Sequence, residues 1–259
     1  AWPLDEAYID YTYNMQTHSM VNTGLIADTS FAITQEGLIA QNEKGSEANV
    51  ATGYHAIEFL LWGQDFNMGG YVDDKGKAVS GSREVEDYIS ADFAERRKTY
   101  LNEAAKLLVA DLQTLVDAWE VGSENYRKTF TALSEKEALR RILVGLQTLS
   151  DIELSGERMA VALESHDQED EHSCFSDNTH RDMVQGNLGM YQVFVGAAGD
   201  VSGKGLSSLV DSTLKEKAET AFEAAKTALE AIQAPFDYEI SESNAEGNAR
   251  VQSAIDALK

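Results

Sequence analysis

Residues 53–63 read GYHAIEFLLWG, a stretch that is apolar on almost every side yet carries a histidine and a carboxylate. Such a pattern predicts a helix that lies deep inside a helical protein. His55 and Glu58 are three residues apart, so a helix places them on one face. Because an ionised carboxylate is costly to bury alone, Glu58 is expected to meet a cation, a metal ion, a hydrogen-bond donor or a proton.

Length and composition favour an all-α protein. The 259 residues are enough for two domains of ordinary size, and a hydrophobic content of 43 % supports a sizeable core. Only two prolines occur, while helix-forming residues are plentiful. The tetrad EAAK occurs at 103–106 and again at 223–226. We therefore predict two four-helix-bundle-like domains, residues 1–121 and 122–259, with the tetrads as a sign of a pseudo-repeat.

The charge of the chain restricts its partners. Acidic side chains outnumber basic ones by 44 to 21, which gives a net charge of −23. A surface of this sign repels nucleic acid and anionic membranes and attracts cations. The sequence has no apolar run long enough to span a membrane and no recognisable signal peptide at its start. The lone Cys174 cannot form an internal disulfide, so cysteine usage does not indicate the compartment.

Apolar periodicity and capping residues predict where the helices lie. The helix that carries His55 is expected to begin near Ser46 or Glu47 and to end at Gly63, and a loop is expected from Gln64 to Ser82. A long amphipathic helix is expected from about Arg83 to Val121. Its apolar residues recur at three- and four-residue steps: Leu101, Ala104, Ala105, Leu108, Leu112, Leu115 and Val116. The other helices are expected at about 5–15, at 34–41, from the N-cap Ser134 through Met159 to Leu163, from Met183 to Phe194, at 206–233, and at 244–257 with Ser243 and Glu246 as its cap.

A second polar cluster lies at residues 164–182. Its first half, Glu164–Glu171, is expected to be a solvated acidic segment. Its second half, His172–Arg181, combines two histidines with one acid, a thiol and a guanidinium. Cys174 and Phe175 do not suit an exposed loop, so this half is expected to be at least partly buried.

The pair His55 and Glu58 has the ligand types of a metal site. A neutral imidazole and a carboxylate on one helical face can coordinate zinc or iron. The alternative is a structural pair, with a core histidine bonded to a neighbouring helix and Glu58 facing an arginine. The zinc-protease patterns H-E-x-x-H and H-x-x-E-H are absent, as are phosphate-binding glycine loops. Cys174 beside an acidic run is poorly placed as a nucleophile, because negative neighbours raise a thiol pKa.

The pattern G-x-H-x-x-E at residues 53–58, followed by FLLWG, resembles the signature of the imelysin family, and of its subgroup called iron-regulated protein A. AWPLDE at 1–6, GERM at 156–159 and HSCFSDNTH at 172–180 are similar to further blocks of that family. The resemblance implies an all-α fold of two bundle-like domains in an exported or periplasmic bacterial protein. It also implies a link to iron acquisition and a sequence class of metallopeptidases. Family chains carry helices before the block that resembles 1–6, so the first bundle is expected to lack them here.

Together these observations predict a periplasmic protein that binds a metal, iron before zinc, or an iron-bearing ligand, in support of uptake with a membrane partner. The two polar clusters are predicted to meet in one site between the bundles. The alternatives are a metal-dependent peptidase with Glu58 as base, and a non-enzymatic module for a larger ligand or partner protein. The predicted metal ligands are His55, Glu58, Asp177 and His180, and the residues predicted to surround and orient them are Glu157, Arg158, His172 and Cys174.

Overall fold

The computed structural model describes residues 4–14, 17–65, 80–81 and 83–259, and these are mostly helical, as the sequence predicted. The helices are α1 (Glu6–Ile9), α2 (Gln35–Gln41), α3 (Tyr54–Trp62), α4 (Glu86–Ile89), α5 (Ala94–Trp119), α6 (Tyr126–Thr131), α7 (Glu135–Gln147), α8 (Val161–Ser165), α9 (Thr179–Val195), α10 (Ser212–Glu230), α11 (Phe236–Ile240) and α12 (Ala245–Leu258). Two small antiparallel hairpins pair β1 (Thr12–Asn14) with β2 (Ser19–Val21) and β3 (Ala197–Ala198) with β4 (Val201–Ser202).

The chain forms two compact units. Among the described residues, the first unit extends to Ala138 and the second comprises Leu139–Lys259. The domain boundary at 121/122 stays a prediction. None of the helices in the described part is both long and apolar enough to cross a membrane. The loop predicted from Gln64 to Ser82 lies largely outside the described residues.

The first unit is built around the buried carboxylate of Asp10. Its Oδ2 accepts hydrogen bonds from Arg83 Nη1 at 2.7 Å and from Arg97 Nε at 2.6 Å, and its Oδ1 accepts from Arg97 Nη2 at 3.0 Å. Burial lowers the pKa of Arg97, but its hydrogen bonds to Asp10 and the negative charges nearby outweigh this and raise the pKa overall. The helix expected over 5–15 therefore ends at Ile9, because Asp10 turns into extended backbone to reach both arginines.

Helix α3 is delimited by two glycines. Gly53 and Gly63 have φ angles of +92° and +77°, a region that side chains other than glycine rarely adopt. The expected start near Ser46 or Glu47 is therefore wrong. The residues before Gly53 instead form a loop that is held by Asn42, whose Oδ1 accepts from the backbone nitrogen of Ala51 at 2.9 Å.

Helix α5 anchors the first unit through its N-terminal half. Arg96 donates to the backbone oxygens of Leu25, Ile26, Asp28 and Phe31, which fixes the loop that precedes α2. Tyr100, Ala104 and Leu107 are buried. The C-terminal half differs from the prediction, because its apolar residues Leu115 and Val116 are 61 % and 62 % exposed. At its end Trp119 packs edge-to-face against two rings of α6.

The second unit has an apolar core around α12, which packs against α10, α11 and the π-helical segment Thr148–Ala160. The helix predicted from Ser134 to Leu163 is confirmed as α7, this segment and α8, and the backbone nitrogen of Glu137 donates to Ser134 Oγ at 3.3 Å. The predicted helix from Met183 to Phe194 is confirmed within α9. The core residues are Leu154, Met159, Ala162, Met183, Met190, Ala225, Leu229, Ile232, Phe236, Ile240, Val251, Ala254, Ile255 and Leu258.

A second ion pair, between a buried carboxylate and a partly exposed arginine, joins α11 to α12. Glu239 is 1 % exposed, and its two oxygens accept from Arg250 Nε at 2.7 Å and Nη2 at 2.6 Å. The N-cap of α12 is Asn244 rather than the predicted Ser243, because the Asn244 side chain accepts from the backbone nitrogen of Gly247 at 2.9 Å. Both interactions hold the short helix α11 against the last helix of the chain.

Replacing Arg97 by methionine is expected to lower the free energy of unfolding by about 3–5 kcal/mol, because it removes one partner of a buried ion cluster and leaves the Asp10 charge undercompensated. Urea unfolding followed by circular dichroism measures this. The matched control is Lys98→Met on the same helix, where the pair with Glu95 lies at the surface and is expected to contribute far less. Similar losses in both variants would contradict a central role for the Asp10 cluster.

Candidate functional site

His55 and Glu58 contact each other on α3. The Nδ1 atom of His55 lies 2.8 Å from Oε2 of Glu58, and the two side chains are 25 % and 11 % exposed. Because a carboxylate only accepts, Nδ1 carries the proton in this arrangement. The sequence therefore placed the two residues on one helical face correctly.

One face of α3 is buried and the other is not. Ala56, Phe59 and Leu60 are fully buried, whereas Leu61 and Trp62 are 45 % and 38 % exposed. The expectation that water is excluded from nearly all of this helix is thus wrong. The reason is that its apolar residues exceed what one packed face can take, so some remain at the surface beside His55 and Glu58.

The buried face of α3 is tied to the Asp10 cluster. The Arg83 guanidinium lies over the ring of Phe59, 5.4 Å from its centroid, and over the ring of Tyr11, at 4.8 Å. The hydroxyl of Tyr88 donates to the backbone oxygen of Leu60. These contacts fix the helix that carries the histidine and the carboxylate, so the pair is held on a rigid element.

The donor atoms of this pair fit a metal ion. Two ligands that each lie about 2.0–2.2 Å from one ion stand roughly 3 Å apart, close to the separation of Nδ1 and Oε2. The proton on Nδ1 would have to leave for both atoms to bind. Zinc and iron both accept an imidazole and a carboxylate, and iron tolerates more oxygen ligands.

The second polar cluster surrounds the start of α9, where Asp182 is the central acceptor. Its Oδ2 accepts from Ser173 Oγ at 2.5 Å and from His172 Nδ1 at 3.0 Å, and its Oδ1 accepts from Asn178 Nδ2 at 3.2 Å. The backbone nitrogen of Ser173 donates to Thr179 Oγ1 at 2.8 Å. The carboxylate in the first turn is also favoured by the helix dipole.

Four predicted site residues lie in or next to this cluster. His172 bonds Asp182, and Cys174 is buried at 2 % exposure, as its apolar character predicted. Asp177 adopts the left-handed region with φ of +53°. Burial lowers the pKa of His180 and outweighs a backbone hydrogen bond to Asp177. The Nδ1 atom of His180 is buried and has no hydrogen-bond partner among the described residues.

Glu157 and Arg158 lie on the π-helical segment of the second unit. Glu157 is exposed, and Arg158 Nη2 pairs with Glu153 Oε2 at 3.1 Å. Their predicted role beside a metal site stays a prediction, as does the meeting of the two polar clusters.

The first half of the second cluster is not solvated throughout, which corrects the sequence-based expectation. Gln168 and Glu171 are 5 % and 0 % exposed, and burial raises the pKa of Glu169. The segment is held down because His166, in the left-handed region, uses Nδ1 to bond the backbone oxygen of Ile240 at 2.5 Å. The acidic segment Glu164–Glu171 is therefore partly a packed turn, which its composition did not indicate.

Sequence reasoning missed Asp182 and the Asp10 cluster as organisers of the two regions. For Asp182 a signal existed, because an acid in the first turn of a predicted helix often accepts local hydrogen bonds. For Asp10 there was none, since its partners Arg83 and Arg97 are 73 and 87 residues away.

Comparisons with known proteins bear on the family and the fold of the chain. The family model described as Imelysin matches residues 1–259. No curated protein matches the sequence. The fold is similar to the crystal structure of a protein described as an iron-regulated protein A precursor from Parabacteroides distasonis, with a TM-score of 0.58 and 15 % identity. The match covers 98 % of this chain and 74 % of that one, which shows a shared fold.

Asp182→Asn is expected to lower the free energy of unfolding by about 1.5–3 kcal/mol. The three groups that donate to Asp182 lose a charged acceptor, and the new amide NH₂ cannot accept a hydrogen bond where a carboxylate oxygen did. Thermal and urea unfolding measure the loss. Glu157→Gln, an exposed acid of the same unit, is the control and should change stability little. An unfolding energy for Asp182→Asn equal to that of the control would contradict its central place in the cluster.

His180 is expected to titrate below its ordinary pKa of 6.5, because burial disfavours the imidazolium. The unfolded chain then binds the proton more readily than the folded protein. The stability contributed by neutral His180 is therefore fully present above about pH 6.5 and is lost as the pH falls through the lower folded pKa. NMR titration of metal-free protein, assigned with His180→Gln, measures the midpoint, and a midpoint at or above 6.5 would disprove the shift.

Proposed function

The chain belongs to the imelysin family, and from this premise we propose that it is an exported bacterial protein of iron acquisition that binds a metal ion through His55 and Glu58. The observation that carries the proposal is the 2.8 Å contact between an imidazole nitrogen and a carboxylate oxygen on one partly exposed helical face. Partial exposure matters, because an ion must reach the site from solvent.

The scaffold of this pair also supports the proposal. Useful metal sites hold their ligands on rigid elements whose rotamers are fixed by packing. Helix α3 meets this condition, because Phe59 packs under Arg83 and the Leu60 carbonyl is bonded by Tyr88. The acidic surface, with its net charge of −23, would raise the local concentration of cations.

We propose Asp177 and His180 of the second unit as a second candidate ligand pair, because they too combine a carboxylate and an imidazole. The lowered pKa of His180 keeps its imidazole neutral, which is the form that binds metal. His172 and Arg158 already bond carboxylates of their own unit, and in this proposal they orient the polar groups around them, together with Glu157 and Cys174.

Iron is proposed before zinc because the structural relative is described as iron-regulated, and a set of imidazoles and carboxylates can hold iron. The same description calls that relative a precursor, which supports export and a role in the periplasm. A membrane-bound uptake system is the partner class that such a protein would serve.

Calorimetric titration with Fe²⁺ under anaerobic conditions, and with Zn²⁺, tests the ligand assignment. Wild type is expected to show one high-affinity event that His55→Ala and Glu58→Gln each weaken by at least about tenfold, because each removes one ligand atom. The matched control is His18→Asn, which removes an exposed histidine in the left-handed region that asparagine tolerates. Parallel titrations of Asp177→Asn and His180→Gln measure the second pair.

Solution conditions separate a specific site from general attraction. Affinity at a specific site should fall as the pH is lowered from about 7.5 to about 5, because protons compete for imidazole, and it should largely survive added salt. Attraction to the acidic surface would instead weaken steadily with salt and tolerate the loss of any single residue. If His55→Ala and Glu58→Gln bind like wild type, the two residues are a structural pair and the proposal is wrong.

A further inference from the structure

A groove lies between α9 and α10 in the second unit, and Arg181 is the one residue of the polar cluster at the start of α9 that lines it. Its volume is about 650 Å³, in the range of pockets that hold small organic molecules. Its apolar lining includes Leu188, Tyr191 and Phe222, and the two rings meet edge-to-face with centroids 5.5 Å apart. The groove thus offers an aromatic surface that faces solvent.

Asn187 lines this groove and carries a buried acceptor. The side chain is 3 % exposed, and its Nδ2 donates to the backbone oxygen of Phe222 at 3.3 Å. That oxygen can only accept, so the amide cannot be turned around. Its Oδ1 is then left without a hydrogen bond from any residue that the structure describes. An unsatisfied buried acceptor is unfavourable, and a bound N–H or O–H group would remove the penalty.

The charges that line the groove favour a cationic occupant. Glu219 precedes Phe222 by one turn on the same face of α10, and Glu223 and Glu230 add two more carboxylates. Two cations, Arg181 and Lys226, oppose these three acids, and Lys226 Nζ already lies 3.6 Å from Glu223. The carboxylates thus outnumber the cationic side chains around an aromatic surface. Carboxylates beside aromatic rings are the combination that recognises ammonium groups.

We propose that the groove between α9 and α10 binds a small organic amine whose ammonium group donates to Asn187 Oδ1. The rings of Tyr191 and Phe222 pack against the carbon body of the ligand, and Glu219 supplies the opposite charge. Nothing in this site uses His55 or Glu58. Asn187 and Phe222 also line a smaller cavity of about 270 Å³, so the amide borders both spaces.

The probe for this site is 2-phenylethylamine, titrated into the full chain after removal of metal by a chelator. Calorimetry and NMR shift mapping are expected to show saturable binding at α9 and α10. The neutral isostere 2-phenylethanol and the anionic isostere 3-phenylpropionate are expected to bind at least about tenfold more weakly, since each lacks the charged donor. Equal or tighter binding of either isostere would overturn the proposal.

Two variants test the proposed contacts of the amine, and a third serves as their control. Asn187→Leu and Glu219→Gln are each expected to weaken the amine by about tenfold or more. Glu216→Gln, an acid of the same helix that does not line the groove, is expected to bind like wild type. Leucine is similar in size to asparagine and has no unsatisfied buried acceptor. The Asn187→Leu variant is therefore expected to melt at the same temperature as wild type or higher. If that variant does not fold, Glu219→Gln alone decides the question.

The outcome is independent of the metal site. His55→Ala is expected to bind the amine with wild-type affinity, so a failure of one proposal does not imply a failure of the other. Absence of saturable amine binding, or wild-type affinity in both Asn187→Leu and Glu219→Gln, would overturn the assignment and leave Asn187 as a position that solvent alone satisfies.

Discussion

The carboxylate of Asp10 is the interaction on which the first unit depends. It is fully buried, and two guanidinium groups supply three hydrogen bonds to it, one arginine coming just before α4 and the other from α5. Burying these charges is unfavourable unless each finds a partner with good geometry. The cluster therefore forces the N-terminal segment, α4 and α5 into one arrangement, and that arrangement places Phe59 beneath Arg83. The orientation of α3, and with it the pair His55 and Glu58, follows from this arrangement.

The second unit uses buried carboxylates in the same way. Glu239 accepts hydrogen bonds from Nε and Nη2 of Arg250 and thereby joins α11 to α12. Asp182 collects three donors and fixes the segment that leads into α9. Apolar packing around α12 provides most of the favourable burial in this unit, but such packing is not directional. The ion pairs and hydrogen bonds fix how the elements are oriented, because a hydrogen bond to a carboxylate weakens steeply when its distance or angle changes.

The sequence predicted those features that depend on neighbours within a few residues. Helical periodicity located α9, a serine three residues before a glutamate located the start of α7, and the spacing of His55 and Glu58 put them on one face. Prediction from the sequence failed where a residue's burial depends on a partner that is distant along the chain. Arg97 reads as a surface residue of an amphipathic helix, and its burial follows only from Asp10 at a separation of 87 residues. Glu171 reads as part of a solvated acidic run, yet it is fully buried.

The composition of α9 is best explained by a function beyond stability. Gly186 has a packing reason, since a Cβ at this position would approach a Leu154 side-chain atom to 2.8 Å and that side chain would have to shift. Gly189 has no such reason, because a Cβ there would meet nothing within 4 Å, although glycine weakens a helix interior. Asn187 leaves a buried acceptor unsatisfied among the described residues, where leucine would pack without penalty. Residues that lower stability in the middle of an otherwise regular helix are expected at sites that bind something. Asn187 lies beside the groove formed with α10, so a bound donor would offset the unfavourable term that packing alone leaves in place.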